Sequence, residues 1–137
     1  MIKMTIIAFD FGTKSIGVAI GQKLTYTARP LTSITTKKGI PDWINLKKIF
    51  LEWKPICVVV GLPLNIDGSK QKVTYQSERF AKQIKKKFGT KVYLHDERLT
   101  TIEAKNLIFK YKGYKFLKKN LIDSQSAAII LESWLLI

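Results

Sequence analysis

The spacing of hydrophobic positions changes along the chain, and each change marks an element. Ile6 to Phe9 and Ile16 to Ile20 are short apolar runs on either side of a turn, the pattern of a β-hairpin. Gly12 sits in that turn, where a residue without Cβ takes positive φ freely. Residues 26–34 supply a third strand, interrupted by Pro30. Pro41 then opens a helix on which Trp43, Leu46, Phe50 and Trp53 recur at helical spacing, and Pro55 stops it. Residues 56–60 are a continuous apolar, mostly β-branched run, which suits a strand buried on both faces. GLPLNIDGS, residues 61–69, carries two Gly, one Pro and an Asp-Gly pair and reads as a loop.

The second half alternates helix and strand. Val73, Phe80, Ile84 and Phe88 line one face of a helix over 71–88, and Lys82, Lys85, Lys86 and Lys87 crowd its last turns, where they favour the helix dipole. Gly89 ends it, and residues 91–95 form a short strand. Thr100 and Glu103 have capping-box spacing and start a helix with Ala104, Leu107, Ile108 and Tyr111 on its apolar face. Residues 112–120 are basic and without period, so they read as a loop. A last helix runs from Asp123 to the end and is apolar nearly all round, hence buried. The order β-β-β-α-β-α-β-α-α predicts an α/β fold, a mixed sheet of about five strands with helices on both faces, in one domain over residues 1–137.

Composition narrows the setting. Hydrophobic residues make up 46% of the 137, enough for a core. No stretch approaches the roughly 20 apolar residues of a membrane span, so no membrane partner is expected. Lys3 runs directly into the first strand, which does not resemble a signal peptide. The single cysteine, Cys57, cannot form an internal disulfide, and a reducing cytoplasm fits that usage. The net charge of +14 points to a polyanion, with nucleic acid foremost. Only three of the 24 basic residues are Arg, a Lys and Ile bias that an AT-rich genome also produces.

The ten acidic residues are placed unevenly. Asp10 closes the first strand, Asp96 and Glu97 follow the last strand, Asp123 opens the last helix and Asp67 lies in the 61–69 loop. Ligands of α/β sheets gather at the carboxyl ends of strands. Carboxylates converging there repel one another and call for a hard cation with oxygen ligands. Each acid also has a plainer role: Asp10 as a turn residue, Asp67 as a turn residue before Gly68, Asp96 as a cap, and Asp123 as an N-cap with Ser126 at the expected offset. Glu97 has the weakest of these. His95 reads as a packed or surface residue, and the aromatics at helical spacing read as core.

DFGTKSIGVAIG, VVVGLPLNIDGS, DERLTT and DSQSAAIIL occur in this order over nearly the whole chain. Together they resemble the YqgF family, also called RuvX, described both as Holliday junction resolvases and as pre-16S rRNA nucleases. The resemblance implies an RNase H-like fold related to RuvC and a nuclease dependent on Mg²⁺ or Mn²⁺. It places the catalytic, metal-binding acids on Asp10, Glu97 and Asp123. Asp96 reads as a group behind these acids or as a cap. Lys14, Asn65, Ser69, Arg98, Lys115, Lys118 and Lys119 are the expected nucleic-acid contacts. The family usually carries Arg where this chain has Lys14, which keeps the charge and loses the bidentate fork. It usually carries Ser-Asp where this chain has Gly21 and Gln22.

The implied partners are pre-rRNA or branched DNA, and the ribosome, with the protein as a monomer or weak homodimer. Processing of the 5′ end of 16S rRNA leads. Holliday junction resolution and non-catalytic ribosome binding are the alternatives. The D-x-G-T-x-S stretch also resembles the first phosphate loop of actin-like kinases, but those use two such domains and this chain has length for one.

Overall fold

Alternation along the first two strands decides which face of the sheet each residue occupies. The computed structural model describes residues 4–99 and 119–137, with side chains of the last helix from Asp123 onward. In β1, Thr5–Phe11, the odd residues Ile7, Phe9 and Phe11 point to one face and the even residues Ile6 and Ala8 to the other. In β2, Ser15–Gln22, the bulky Ile16, Val18 and Ile20 share the face of Phe9, which leaves Gly17, Ala19 and Gly21 on the opposite one. The two strands pair antiparallel, with Asp10 opposite Gly17.

β3, Thr27–Lys37, pairs antiparallel with β2. Its register slips where Val18 faces Thr32 but Ala19 faces Pro30, so Leu31 is the extra residue of a bulge. Proline cannot donate to a ladder, and a bulge is where a strand tolerates it. β4, Ile40–Pro41, is a two-residue edge strand against β3. β5, Cys57–Leu62, runs parallel to β1, and β6, Lys91–Asp96, parallel to β5. The order across the sheet is β4-β3-β2-β1-β5-β6. The sheet thus has six strands where about five were expected. The added one takes up Pro41, which precedes the helix instead of opening it.

Helix α1, Trp43–Trp53, is capped by Asp42, whose carboxylate accepts from the Asn45 amide at 3.2 Å. It ends at Lys54 in the left-handed conformation, just before Pro55. Helix α2, Lys72–Phe88, starts with the Gln71 amide donating to the Thr74 hydroxyl at 2.9 Å and ends at Gly89, φ 63°. Both cover one face, where Phe80 sits edge-on to Phe9 with ring centroids 5.3 Å apart. Phe50 stacks on Phe88 at 4.0 Å. Among the described residues, Phe50 and Phe80 are core and Trp43, Trp53 and Phe88 pack against it, in line with their spacing.

The last helix, α3 here, spans Lys119–Leu135 and covers the other face through Ala127, Ala128, Ile130, Leu131 and Leu135. The chain is already helical at Lys119, four residues before Asp123. Asp123 is therefore not the N-cap, and Lys119 belongs to the helix and not to the basic loop. The helix expected to start at Thr100, and Lys115 and Lys118, lie outside the described residues. The structure shares its helix-sheet-helix layering with the expectation. No described helix is long and apolar enough to cross a membrane.

Phe80 is 1% exposed and touches Phe9, Phe11 and Trp43. Phe80→Ala should cost about 3–5 kcal/mol, read as a fall in the urea midpoint with unchanged slope. A loss under about 1 kcal/mol would mean that this face is not the principal core.

Candidate active site

Asp10 is the even residue that follows Ile6 and Ala8, so it faces α3 at the carboxyl end of β1. Its neighbours across the sheet are both glycines. Gly17 pairs with it on β2, and Gly61 follows Val60, the residue paired with Phe9, on β5. Each glycine leaves room that another acid's segment fills. A Cβ on Gly17 would stand 1.9 Å from the Asp123 carbonyl oxygen, so the backbone of α3 touches the backbone of β2 there. A Cβ on Gly61 would stand 3.2 Å from a Glu97 carboxylate oxygen and 2.6 Å from Ile130 Cδ1.

The row Gly17–Asp10–Gly61 therefore brings Asp123 in from one side and Glu97 from the other. The space over Gly61, at the start of the 61–69 loop, is taken by Glu97 and Ile130.

Asp10 and Asp123 line one depression of about 250 Å³ together with Gly12, Thr13, Lys14 and Ser15. The Ser15 hydroxyl donates to Asp123 Oδ2 at 2.5 Å. The β1–β2 turn is itself fixed to β3: the Thr36 amide donates to the Lys14 carbonyl at 3.1 Å and the Thr36 hydroxyl to the Thr13 carbonyl. Gly12 is not a positive-φ residue. It is required because a Cβ would lie 2.6 Å from the Ser15 carbonyl oxygen. Lys14 is exposed at the mouth. Glu97 does not line the depression, and among the described residues no three acidic, His or Cys side chains are already gathered as a metal cluster.

Glu97 opens a 3₁₀ turn, Glu97–Leu99, after β6. Burial, and secondarily the charge of Asp96, push its carboxyl up to about 7. Asp96 moves the other way. It accepts from the Arg98 amide at 2.9 Å and from the Arg98 guanidinium at 2.7–3.1 Å, and this pairing lowers its pKa. Asp96 is thus the cap of the turn and the partner of Arg98. The remaining reach of Arg98 goes to the Ile66 carbonyl at 3.2 Å, with the guanidinium against Gly68.

The 61–69 loop is a closed knot of hydrogen bonds. Asp67 accepts from the amide and hydroxyl of Ser69, the role of an Asx turn, and Asn65 Nδ2 donates to Ser69 Oγ at 2.9 Å. Asn65 and Ser69 are exposed, but their polar groups are engaged with each other. His95 is buried, with Nε2 2.9 Å from Ser133 Oγ, and burial lowers its pKa. That pair fastens β6 to α3. The described structure gives no side-chain placement for Lys119. Sequence reading missed Ser15 and Gly17 as site builders. The signal was present in SIGVAIG, where every second residue after Ser15 is small.

Gly17→Ala should displace Asp123. A loss of about 1–3 kcal/mol, typical of overpacking, is expected by urea denaturation, together with altered chemical shifts at Ser124. Unchanged stability and shifts would show that the helix does not touch the strand there. Glu97 gives a pH signature in buffer without divalent cations. Its folded pKa of about 7 exceeds the ordinary 4.5, so the folded state binds the extra proton between those values. Stability supplied below pH 4.5 is lost as pH rises through 7. Glu97→Gln should escape that loss, so its Tm advantage over wild type should be larger at pH 8 than at pH 5. An equal difference at both would reject the raised pKa.

A sequence model of the family described as "RuvX: Holliday junction resolvase" matches residues 4–136. A protein of Wigglesworthia glossinidia brevipalpis named "Putative pre-16S rRNA nuclease" is 58% identical over 130 residues, covering 95% of this chain and 90% of that one. A protein of the same name from Proteus mirabilis is 55% identical over 134 residues, covering 98% and 96%. Among solved structures, T. thermophilus RuvC in complex with a Holliday junction substrate has TM-score 0.55 at 15% identity, covering 93% of this chain and 91% of that one. The Fowlpox virus resolvase with Holliday junction DNA has TM-score 0.54 at 18% identity, covering 98% and 100%. The fold is accordingly the RNase H-like one of RuvC-type resolvases, and the chain belongs to the RuvX family.

Proposed function

We propose that this protein is a metal-dependent endonuclease of structured nucleic acid that processes the 5′ end of pre-16S rRNA. The observation that carries the reading is the glycine-flanked Asp10, with Asp123 in the same depression and Glu97 over the neighbouring glycine. The donor set suits a hard cation: its acids offer only oxygen, and the charge of two of them falls in one small depression. Asp10, Asp123 and Glu97 would hold Mg²⁺ or Mn²⁺. Such ions supply activation of the attacking water and stabilisation of charge on the leaving 3′ oxygen.

The chain's own groups do the rest. Ser15 donates to Asp123 and orients its carboxylate. Thr36 fixes the turn that carries Lys14, whose ammonium at the mouth attracts the phosphate being cut. Glu97 gives up its proton when a cation or higher pH favours the anion. Ser133 is bonded to the buried His95, which makes the pair a fastener and no nucleophile.

Relatives of 55–58% identity named for pre-16S rRNA support the RNA substrate. The family description and the fold shared with junction resolvases support a second reading, cleavage of four-way DNA junctions. The proposed setting is the cytoplasm, in keeping with the buried free thiol of Cys57.

The test is cleavage of a pre-16S rRNA fragment and of a four-way DNA junction by purified protein with Mg²⁺ or Mn²⁺. Wild type should cut the RNA. Asp10→Asn should lose at least about 100-fold in rate at equal bound substrate, whereas Asp96→Asn should lose about 10–100-fold, the range of an outer partner. Cutting of the junction alone would favour the second reading. Full activity of Asp10→Asn would reject the site.

A further inference from the structure

Ile66 is 98% exposed, the highest value of any large hydrophobic residue among those described. Single apolar side chains on a surface need no explanation, but this one has two unusual features. It stands at the tip of a loop whose other exposed side chains are polar, and that loop is rigid. Asn65, Asp67 and Ser69 bond to one another beneath the tip, and Leu64 bridges to Lys70 at its base. The carbonyl of Ile66 itself accepts from Arg98, which is locked onto Asp96. Nothing in this arrangement lets the side chain fold back onto the core.

The same clamp fixes where the tip stands. Asp96 and Arg98 flank Glu97 in sequence, and the loop begins at Gly61, over which the Glu97 carboxylate rests. Ile66 is thus held in register with one of the proposed catalytic acids through two side chains and one strand end. A stiff apolar tip beside a phosphate-cutting site has one chemical use that its exposure supports. Apolar wedges such as Ile enter between base steps and unstack them, bending the duplex and exposing its backbone.

We propose that Ile66 is a wedge that enters a base step next to the scissile phosphate and so selects branched or bulged nucleic acid, where unstacking is cheapest. The proposal rests on the nuclease reading and deepens it. Asp96 and Arg98 act as positioning residues for the wedge. Arg98, expected among the nucleic-acid contacts, also holds Asp96 and the Ile66 carbonyl.

The test separates unstacking from cleavage. A branched RNA, and a DNA of the same sequence, carry 2-aminopurine at the branch, and fluorescence is read on binding in Ca²⁺ to suppress cutting. Wild type should raise the signal severalfold with the nucleic acid that is its substrate. Ile66→Ala should bind within threefold of wild type, keep its Tm, lose most of the rise, and cut at least tenfold more slowly at saturation in Mg²⁺. Ile66→Leu should restore both. Arg98→Ala, which keeps the Ile66 side chain but releases its carbonyl, should also lower the rise.

No rise with wild type on either nucleic acid, or an undiminished rise with Ile66→Ala, overturns the wedge. So does a rate loss in Ile66→Ala that matches its loss of binding. Because fluorescence is read without cleavage, a failed nuclease site would appear as retained unstacking without cutting, and a failed wedge as cutting without unstacking.

Discussion

Gly17, Ala19 and Gly21 form a strip of small residues on one face of β2, and the seating of α3 against it is the contact on which the rest depends. Each turn of the helix meets one member of the strip. Asp123 lies at Gly17, Ala127 and Ala128 at Ala19, and Leu131 at Gly21. The other face of the same strand carries Ile16, Val18 and Ile20 in the larger core. One strand therefore does two jobs by alternation alone: its bulky residues fill a core and its small ones admit a helix backbone. That close approach delivers Asp123 to the carboxyl end of β1. Stability and site geometry share one contact and cannot be varied separately there.

Electrostatics follow from the same placement. A chain with net charge +14 gathers three of its ten acids around the Gly17–Asp10–Gly61 row. Burial beneath Ile130 and over Gly61 is the main reason that the Glu97 carboxyl is pushed up to about 7. Asp96, next in sequence, is paired with Arg98, and its charge adds a smaller push on Glu97. Arg98 in turn spends its remaining donor on the 61–69 loop. Charge placement at the site and loop placement beside it are thereby one structure.

Much of the architecture was legible in the sequence because the periods are clean. The β-branched run at 56–60 became a buried strand, and the Trp43, Leu46, Phe50 and Trp53 spacing became α1. Local polar signals read less well. Asp123 resembled an N-cap, yet the chain is already helical at Lys119, because docking on the sheet fixes the helix and a single cap does not. Pro41 and Gly12 were read from intrinsic preference, whereas edge pairing and a close carbonyl decide them. Asn65, Ser69 and Arg98 were read as nucleic-acid contacts, and their bonds within the protein were not foreseen. Their mutual bonding depends on a loop closing on itself and on a residue 32 positions away, which no local pattern encodes. The acids Asp10, Glu97 and Asp123 come from three separate elements and were reached through family resemblance. The glycines that seat two of them emerge only from strand register.

The central claim is that a glycine-flanked Asp10 gathers two further acids into a cation site. Paramagnetic broadening of the ¹⁵N–¹H spectrum by substoichiometric Mn²⁺ tests it most directly. The account predicts that the amides of Asp10, Gly17, Gly61 and Ser124 broaden first, that Lys54 and Gly89 at the opposite end of the helices stay sharp, and that Asp10→Asn removes the effect. Broadening that begins elsewhere, or that survives Asp10→Asn unchanged at these four amides, would contradict it.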